Sequence, residues 1–304
     1  MWKYILKRLA ILFATLLIVI TITFFMMQVM PGTPYNNPRL TPDMIAQMNK
    51  AYGLDKPLFQ QYITYLLNAL HGDFGTSFQY ANQSVSTLIN QRLGISIQLG
   101  IQALIIGIIL GLIFGAISAR HKNDIIDGIV SIISTLGIAV PSFIYAMFLL
   151  YILGFKFPVF PVTGWGSFAQ TVLPTLALAA GPAATTTRFV RSEMIEVLNS
   201  DYIELARSKG MDDSEVVRAH AYRNSIIPVL TLIGPMAANL LTGSALIEKI
   251  FSIPGIGQQF VTSIPTKDFP VIMGTTIVYS LMLMAMILVT DVIMALVDPR
   301  VRLQ

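Results

Sequence analysis

Long runs of apolar residues recur along the chain, and shorter polar stretches separate them. The first run follows Lys3, Lys7 and Arg8, and it is longer than the core of a secretion signal, which predicts a retained helix. A helix of about 20 apolar residues crosses the ~30 Å hydrocarbon core of a bilayer. The pattern therefore predicts an all-α polytopic membrane protein with six transmembrane helices, at residues 9–30, 97–119, 129–153, 172–190, 226–247 and 271–297.

The fourth run is the least apolar, because Pro174, Gly181 and Pro182 interrupt a series of Ala and Thr residues. Proline and glycine are tolerated within a membrane where neighbouring helices cover the backbone groups that they free. The sequence therefore favours an interior position for this helix.

The 31–96 segment, between the first two runs, is predicted to form short helices. Thr41 can cap a helix that starts at Pro42 and ends before Gly53. A second helix, 57–70, has one apolar face, which consists of Leu58, Tyr62, Tyr65, Leu66 and Ala69. This face could lie on the membrane surface, but the basic residues of a surface-seeking helix are missing, which favours packing against the transmembrane helices.

The 192–225 segment, between the fourth and fifth runs, is polar and holds a short charged helix. Asp201 and Glu204 have the spacing of a capping box, and Gly210 is placed to end the helix in a left-handed conformation. A second helix then leads to Pro228 and back into the membrane. The segment could be a solvated connector, but two short helices are better suited to docking a soluble partner.

Composition and charge support the membrane assignment and give an orientation. Of 304 residues, 12% are charged and 54% hydrophobic, and the mean hydropathy is +0.68. If the spans alternate, thirteen of the 20 Lys and Arg residues share one side with both termini and with 192–225. Cytoplasmic loops carry the excess of such residues, so both termini are predicted inside and 31–96 outside.

Several segments resemble a known family of transport proteins. The stretch from Glu204 to Gly210 resembles the EAA loop of ABC-importer permeases, a cytoplasmic element that docks on an ATPase subunit. The segments similar to dipeptide and oligopeptide permeases are 30–34, 52–57, 201–210, 223–228, 253–257 and 298–302. Their order, and the long external segment, are similar to the first, B-type, permease subunit of that family.

The resemblance implies a type I ABC-importer permease fold in a bacterial or archaeal cytoplasmic membrane. The implied partners are a homologous second permease subunit, two cytoplasmic ABC ATPase subunits that hold ATP and Mg²⁺, an extracytoplasmic peptide-binding protein, membrane lipid and a peptide substrate, with no nucleic acid. The substrate expected is an oligopeptide, and dipeptides or nickel and metal-chelate complexes are the alternatives within the family. The residues expected to couple to the ATPase are Asp201, Tyr202, Glu204, Leu205, Ala206, Arg207, Lys209 and Gly210.

Two positions depart from the general EAA pattern. Leu205 replaces the first of two paired alanines, which leaves Ala206 as the small residue that permits close approach of a backbone. Pro228 follows Gly210 by eighteen residues, whereas the broader motif has a proline after thirteen. The longer spacing is similar to the peptide-permease branch.

Residues for covalent chemistry are missing from the sequence. There is no G-x-x-x-x-G-K-S/T loop for nucleotide phosphates, no H-E-x-x-H pair, no cysteine, and only three scattered histidines. An enzyme, a catalytic residue, a bound metal or a cofactor in this chain is therefore not expected. A self-sufficient secondary transporter is the less favoured alternative, because it should show internal repeats and ionisable residues at the membrane midplane.

Candidates for the translocation path or its gate are weaker. They are Tyr279, Met282, Met286, Asp291 and Gln258. Flexible methionines suit varied side chains but are also common packing residues, and Asp291 could serve transport or pair near the interface. The external 253–270 segment is rich in Pro and Gly, which predicts a fixed, irregular excursion that covers the path. Gly107, Gly111 and Gly115 form a stripe that permits close helix packing, which we expect within this chain rather than with a partner.

Overall fold

The computed structural model describes residues 2–30, 42–51, 53–80, 83–217 and 222–297, and within these ranges the protein is helical. The only β-type pairing there is a single bridge between Thr76 and Ser84. The helices are α1 Trp2–Val29, α2 Pro42–Ala51, α3 Leu58–Leu70, α4 Val85–Arg120, α5 Ile125–Ala139, α6 Ser142–Leu149, α7 Phe168–Leu198, α8 Asp201–Ser208, α9 Asp213–Val216, α10 Tyr222–Ile250, α11 Ile256–Ser263 and α12 Phe269–Val297. A π-helical stretch, Leu150–Lys156, continues α6. The expected cap at Thr41 and the motif residues at 31–34, 52 and 298–302 lie outside the described residues.

Three helices in the described part of the chain are long and apolar enough to cross a membrane. They contain the stretches Leu6–Val29, Val85–Arg120 and Phe269–Val292, and the pair formed by α5 and α6 counts as a fourth if it is one broken span. α7 and α10 have 31 and 29 residues, which is sufficient length, but they are less apolar. Length and composition therefore support three to four of the six predicted spans.

The third predicted span, 129–153, is not one continuous helix. α5 and α6 meet at an angle of 108° across Val140 and Pro141. Val140 is extended, with φ −90° and ψ 125°, because a residue that precedes proline is pushed out of the helical region. Pro141 lies inside the apolar run that predicted a single span, and the break at this proline was not predicted.

The chain divides into two compact units, one of residues 1–96 and 254–284 and one of residues 97–253 and 285–304. In the first unit, α3 packs on α1 and α12, where Tyr62, Tyr65, Leu66 and Ala69 contact the buried residues Ile20, Phe24, Met273 and Ile277. A hydrogen bond of 2.6 Å joins the hydroxyls of Tyr62 and Thr21. The predicted packing of this face is confirmed, except at Leu58, which is 48% exposed.

In the second unit, α7 is largely buried and packs against α5, α6 and α10. The glycine stripe of α4 also faces α7, since a Cβ atom on Gly107 would lie 2.6 Å from the Cβ of Pro182, and one on Gly115 2.7 Å from that of Val190. Both the interior position of this helix and the intrachain role of the stripe are therefore confirmed. Glycine is required at these positions because the two helices approach too closely for a side chain.

Candidate functional site

The short helix α8 begins two residues after the end of α7, and its start differs from the sequence prediction. The residue that precedes the helix is Ser200, with φ −84° and ψ 150°, and its hydroxyl donates to the carbonyl of Val197 at 2.5 Å. The predicted capping box is wrong, because Asp201 is already inside the helix. Asp201 and Glu204 both lie in the first turn, where the helix dipole favours negative charge.

The end of α8 agrees with the sequence prediction. Gly210 has φ +86°, in the left-handed region. Its N–H donates to the carbonyl of Arg207 at 2.9 Å, and the N–H of Met211 donates to that of Ala206 at 3.3 Å. This pair of bonds is a Schellman motif, which fixes the direction in which the chain leaves the helix.

The two faces of α8 have different surroundings. Ile203 and Ala206 are buried against Val216, Val197 and Met211. The small side chain of Ala206 therefore permits close packing within this chain.

The outer face of α8 is exposed and mixes apolar and charged side chains. Tyr202 is 44% and Leu205 56% exposed. The other predicted coupling residues, Asp201, Glu204, Arg207, Lys209 and Gly210, are exposed as well. The structure thus places all of the predicted coupling residues except Ala206 on the exposed surface of one rigid element.

An ion pair that the sequence analysis missed connects the membrane helices near α8. Arg191 of α7 donates to both carboxylate oxygens of Asp127 in α5, at 2.6 and 2.7 Å. Asp127 is 4% exposed and also accepts hydrogen bonds from the hydroxyl of Ser118 and the N–H of Asn123. In the sequence, Asp127 stands just before the third apolar run and Arg191 just after the fourth. Their positions along the chain do not show that the two side chains meet.

The predicted path residues on α12 are half-buried. Tyr279, Met282 and Met286 share a helix face by their spacing, and Asp291 lies farther along. Tyr279 makes an edge-to-face contact with Phe260 of α11, with ring centroids 6.2 Å apart. Met286 and Asp291 belong to the second unit, whereas Tyr279 and Met282 belong to the first.

The 253–270 segment is more regular than expected. It contains α11, and Ile253 and Ile256 are fully buried. Asp268, 1% exposed, accepts hydrogen bonds from the hydroxyl of Ser77 and from the N–H groups of Phe78 and Gln79. These bonds tie the segment to the turn before α4. Gln258 lies on α11 and is half-buried.

The membrane-length apolar helices define an integral membrane protein. Within that class, the chain belongs to the family described as binding-protein-dependent transport system inner membrane components. The family's main model matches residues 107–303, and the model of its N-terminal region matches residues 1–100. The family consists of transport permeases and not of catalytic subunits.

Individual relatives match the chain over nearly its full length. It is 63% identical over 303 residues to the dipeptide transport system permease protein DppB of Lactococcus lactis subsp. cremoris, with all of both chains covered. It is 42% identical to DppB of Bacillus subtilis, over 100% of this chain and 99% of the relative, and 36% identical to the oligopeptide transport system permease protein OppB of Escherichia coli, over 99% and 100%.

A solved structure supports the fold. The crystal structure of an amino acid ABC transporter with histidines has a TM-score of 0.54 to this chain, at 18% identity, and the match covers 68% of this chain and 93% of the other.

Proposed function

We propose that this chain is a membrane permease subunit of an ATP-driven importer of short peptides. The observation that carries the proposal is its full-length similarity to dipeptide permeases, at 63% and 42% identity, which exceeds the 36% to an oligopeptide permease. Dipeptides are therefore the favoured substrate. Oligopeptides, which the sequence analysis expected, are the second candidate, and nickel or metal-chelate complexes remain the third.

The proposed topology has six crossings, made by α1, α4, the broken α5–α6 pair, α7, α10 and α12. The low hydropathy of α7 fits this topology, because a helix covered by other helices does not need an apolar surface. Both termini and α8 lie in the cytoplasm, in agreement with the distribution of Lys and Arg. The α2–α3 region and α11 lie outside.

We further propose that α8 docks into a cleft on a cytoplasmic ATPase subunit. The inner face of α8 is already covered by Val216, Val197 and Met211, so a partner can reach only the outer face. Tyr202 and Leu205 would supply apolar contact area there, and the charges around them would supply specificity. ATP and Mg²⁺ would be held entirely by the ATPase.

Transport would follow alternating access, driven from outside this chain. Closure of the ATPases on ATP would move α8 as a rigid body, and α7, which precedes it by two residues, would carry the motion into the membrane. α10 would carry it as well. Its backbone runs through position 228, so Pro228 does not end a helix, contrary to the sequence prediction. The path would form between this chain and a homologous second permease, below an external peptide-binding protein.

Reconstitution into liposomes tests this function. The chain would be combined with its second permease, two ATPases and the binding protein encoded beside it, and uptake of labelled dipeptides, pentapeptides and a nickel chelate would be compared. We expect ATP-dependent uptake, fastest for dipeptides. Uptake of the chelate alone, or uptake that needs neither ATP nor the binding protein, would contradict the proposal.

A further inference from the structure

The second compact unit contains a cavity of about 270 Å³ at the break between α5 and α6. Its walls also include α7 and α10. All thirteen lining residues are uncharged. The cavity is smaller than the ~300–1,000 Å³ of pockets that enclose a whole drug-sized ligand, so it suits part of a larger molecule.

Two prolines leave two carbonyl groups of the cavity wall without their helical hydrogen bonds. Pro182 has no N–H to donate to the carbonyl of Leu178, four residues before it, and Pro141 has none for that of Gly137. Both Leu178 and Gly137 line the cavity. Two different helices therefore each contribute to the wall a residue whose carbonyl lacks its helical donor, and broken helices of this kind contact substrates in transporters.

Polar side chains complete the wall. Ser142, at the start of α6, and Thr185 of α7 are half-buried, and Asn239 of α10 is exposed. Their hydroxyl and amide groups can both donate and accept hydrogen bonds. The rest of the wall is mainly apolar, with Met236 and Leu240 among its residues.

Gly181 leaves part of the cavity open. A Cβ atom at this position would meet no atom within 4 Å, whereas the neighbouring Pro182 touches α4 at Gly107. Gly181 is helical and does not have a positive φ, so its backbone would accept a side chain without strain. A side chain there would begin in open space at the cavity wall, and a larger one would reduce the cavity volume.

We propose that this cavity binds the main chain of the transported peptide, an inference that rests on the proposed function. A peptide amide carries one donor and one acceptor whatever its side chains are, and the wall offers matching groups without a charge that would select a particular side chain. A lipid chain is a less suitable occupant of this cavity. It has no donor for the two freed carbonyls, and burial of an unpaired polar group is costly. The cavity would form part of the wall of the translocation path. It would make few contacts with the peptide, because a transport path must also release what it binds.

The first test restores a hydrogen bond in the wall. Pro182→Ala supplies an N–H to the Leu178 carbonyl and retains the Cβ that packs on Gly107. Pro174→Ala in the same helix is the matched control. It supplies an N–H to the carbonyl of Gln170, a residue that does not line the cavity. Uptake of a dipeptide and of its analogue methylated at the peptide nitrogen would be measured in the complete reconstituted assembly.

We expect the wild-type assembly to prefer the unmethylated peptide, because methylation removes its amide donor. In Pro182→Ala this preference should fall by about two- to tenfold, because one hydrogen bond of usual net strength has an effect of that size. Pro174→Ala should retain the wild-type preference. An unchanged preference in Pro182→Ala, or an equal fall in both variants, overturns the inference. Uptake of the unmethylated peptide by the wild-type assembly tests the proposed function separately.

The second test fills the cavity. Gly181→Leu should reduce uptake by at least about tenfold, which corresponds to about 1.4 kcal/mol, and leave co-purification with the second permease unchanged. Gly128→Leu, at an exposed helical glycine of α5 away from the cavity, should transport normally. Normal uptake in Gly181→Leu overturns the inference. Loss of subunit pairing in that variant overturns it as well, because the cavity would then be a contact with the second permease.

Discussion

The guanidinium of Arg191 holds the carboxylate of Asp127 by two hydrogen bonds, from Nε to Oδ1 at 2.6 Å and from Nη2 to Oδ2 at 2.7 Å. The carboxylate is almost fully buried, and the Ser118 hydroxyl donates to it from α4. Three helices therefore meet at one ion pair. Since α8 follows α7 after two residues, this pair holds the helix from which α8 projects.

Loss of this ion pair should destabilise the protein. Asp127→Ala leaves the Arg191 guanidinium without its bidentate partner, so the free energy of unfolding should fall by about 1.5–3 kcal/mol, the range for hydrogen bonds to charged groups. Thermal unfolding of the purified chain in detergent measures the change. In a double-mutant cycle, Asp127→Ala and Arg191→Ala together should cost less than their sum. Strict additivity would show that the two residues do not interact.

The conformation of Gly210 should matter for coupling. Gly210→Val forces a β-branched residue into a positive φ, at a cost of about 1 kcal/mol or more, and should redirect the chain after α8. Gly210→Asn is the matched control, because asparagine tolerates this region. We expect the valine variant to lose peptide uptake and the stimulation of ATP hydrolysis by loaded binding protein, and the asparagine variant to keep most of both. Equal activity in the two variants would show that the exit direction is unimportant.

The exposed face of α8 should carry the ATPase contact. Leu205→Glu replaces one of the two large apolar side chains on the outer face of α8 by a charge, and since Leu205 is 56% exposed, the fold should not change. Co-purification of the ATPases should fall strongly, because burial of an unpaired charge at an interface is costly. Ser192→Glu, on an exposed position of α7, introduces the same charge away from α8 and should have no effect. Retention of the ATPases by Leu205→Glu would locate docking elsewhere.

The topology can be read from single cysteines, because the chain has none of its own. Asp55 and Ser208 are both exposed, and they lie in the proposed external and cytoplasmic regions. In intact cells, an impermeant thiol reagent should label Asp55→Cys, and it should label Ser208→Cys only after permeabilisation. The opposite pattern would invert the orientation of the protein.

The sequence determined those features that depend on local chemistry. Apolar runs indicated the helical membrane protein, and the left-handed Gly210 followed from a glycine after the last turn of a charged helix. The packed face of α3 followed from the spacing of Tyr62, Tyr65, Leu66 and Ala69. Each of these depends on residues within one or two helical turns, so the spacing along the chain contains the information. The resemblance to peptide permeases rested on several short motifs that follow one another along the chain in the order typical of that family.

Only the tertiary structure decided which distant residues meet. Asp127 and Arg191 are 64 positions apart, and nothing in either local pattern selects the other as its partner. The same holds for Gly137 and Leu178, which come from α5 and α7 and line one cavity. The sequence contained the prolines that leave their carbonyls without a helical donor, but only the packing of α5 and α7 brings the two residues to the same space. Local sequence sets which backbone groups are left unpaired, and the packing of the helices sets what they can bind.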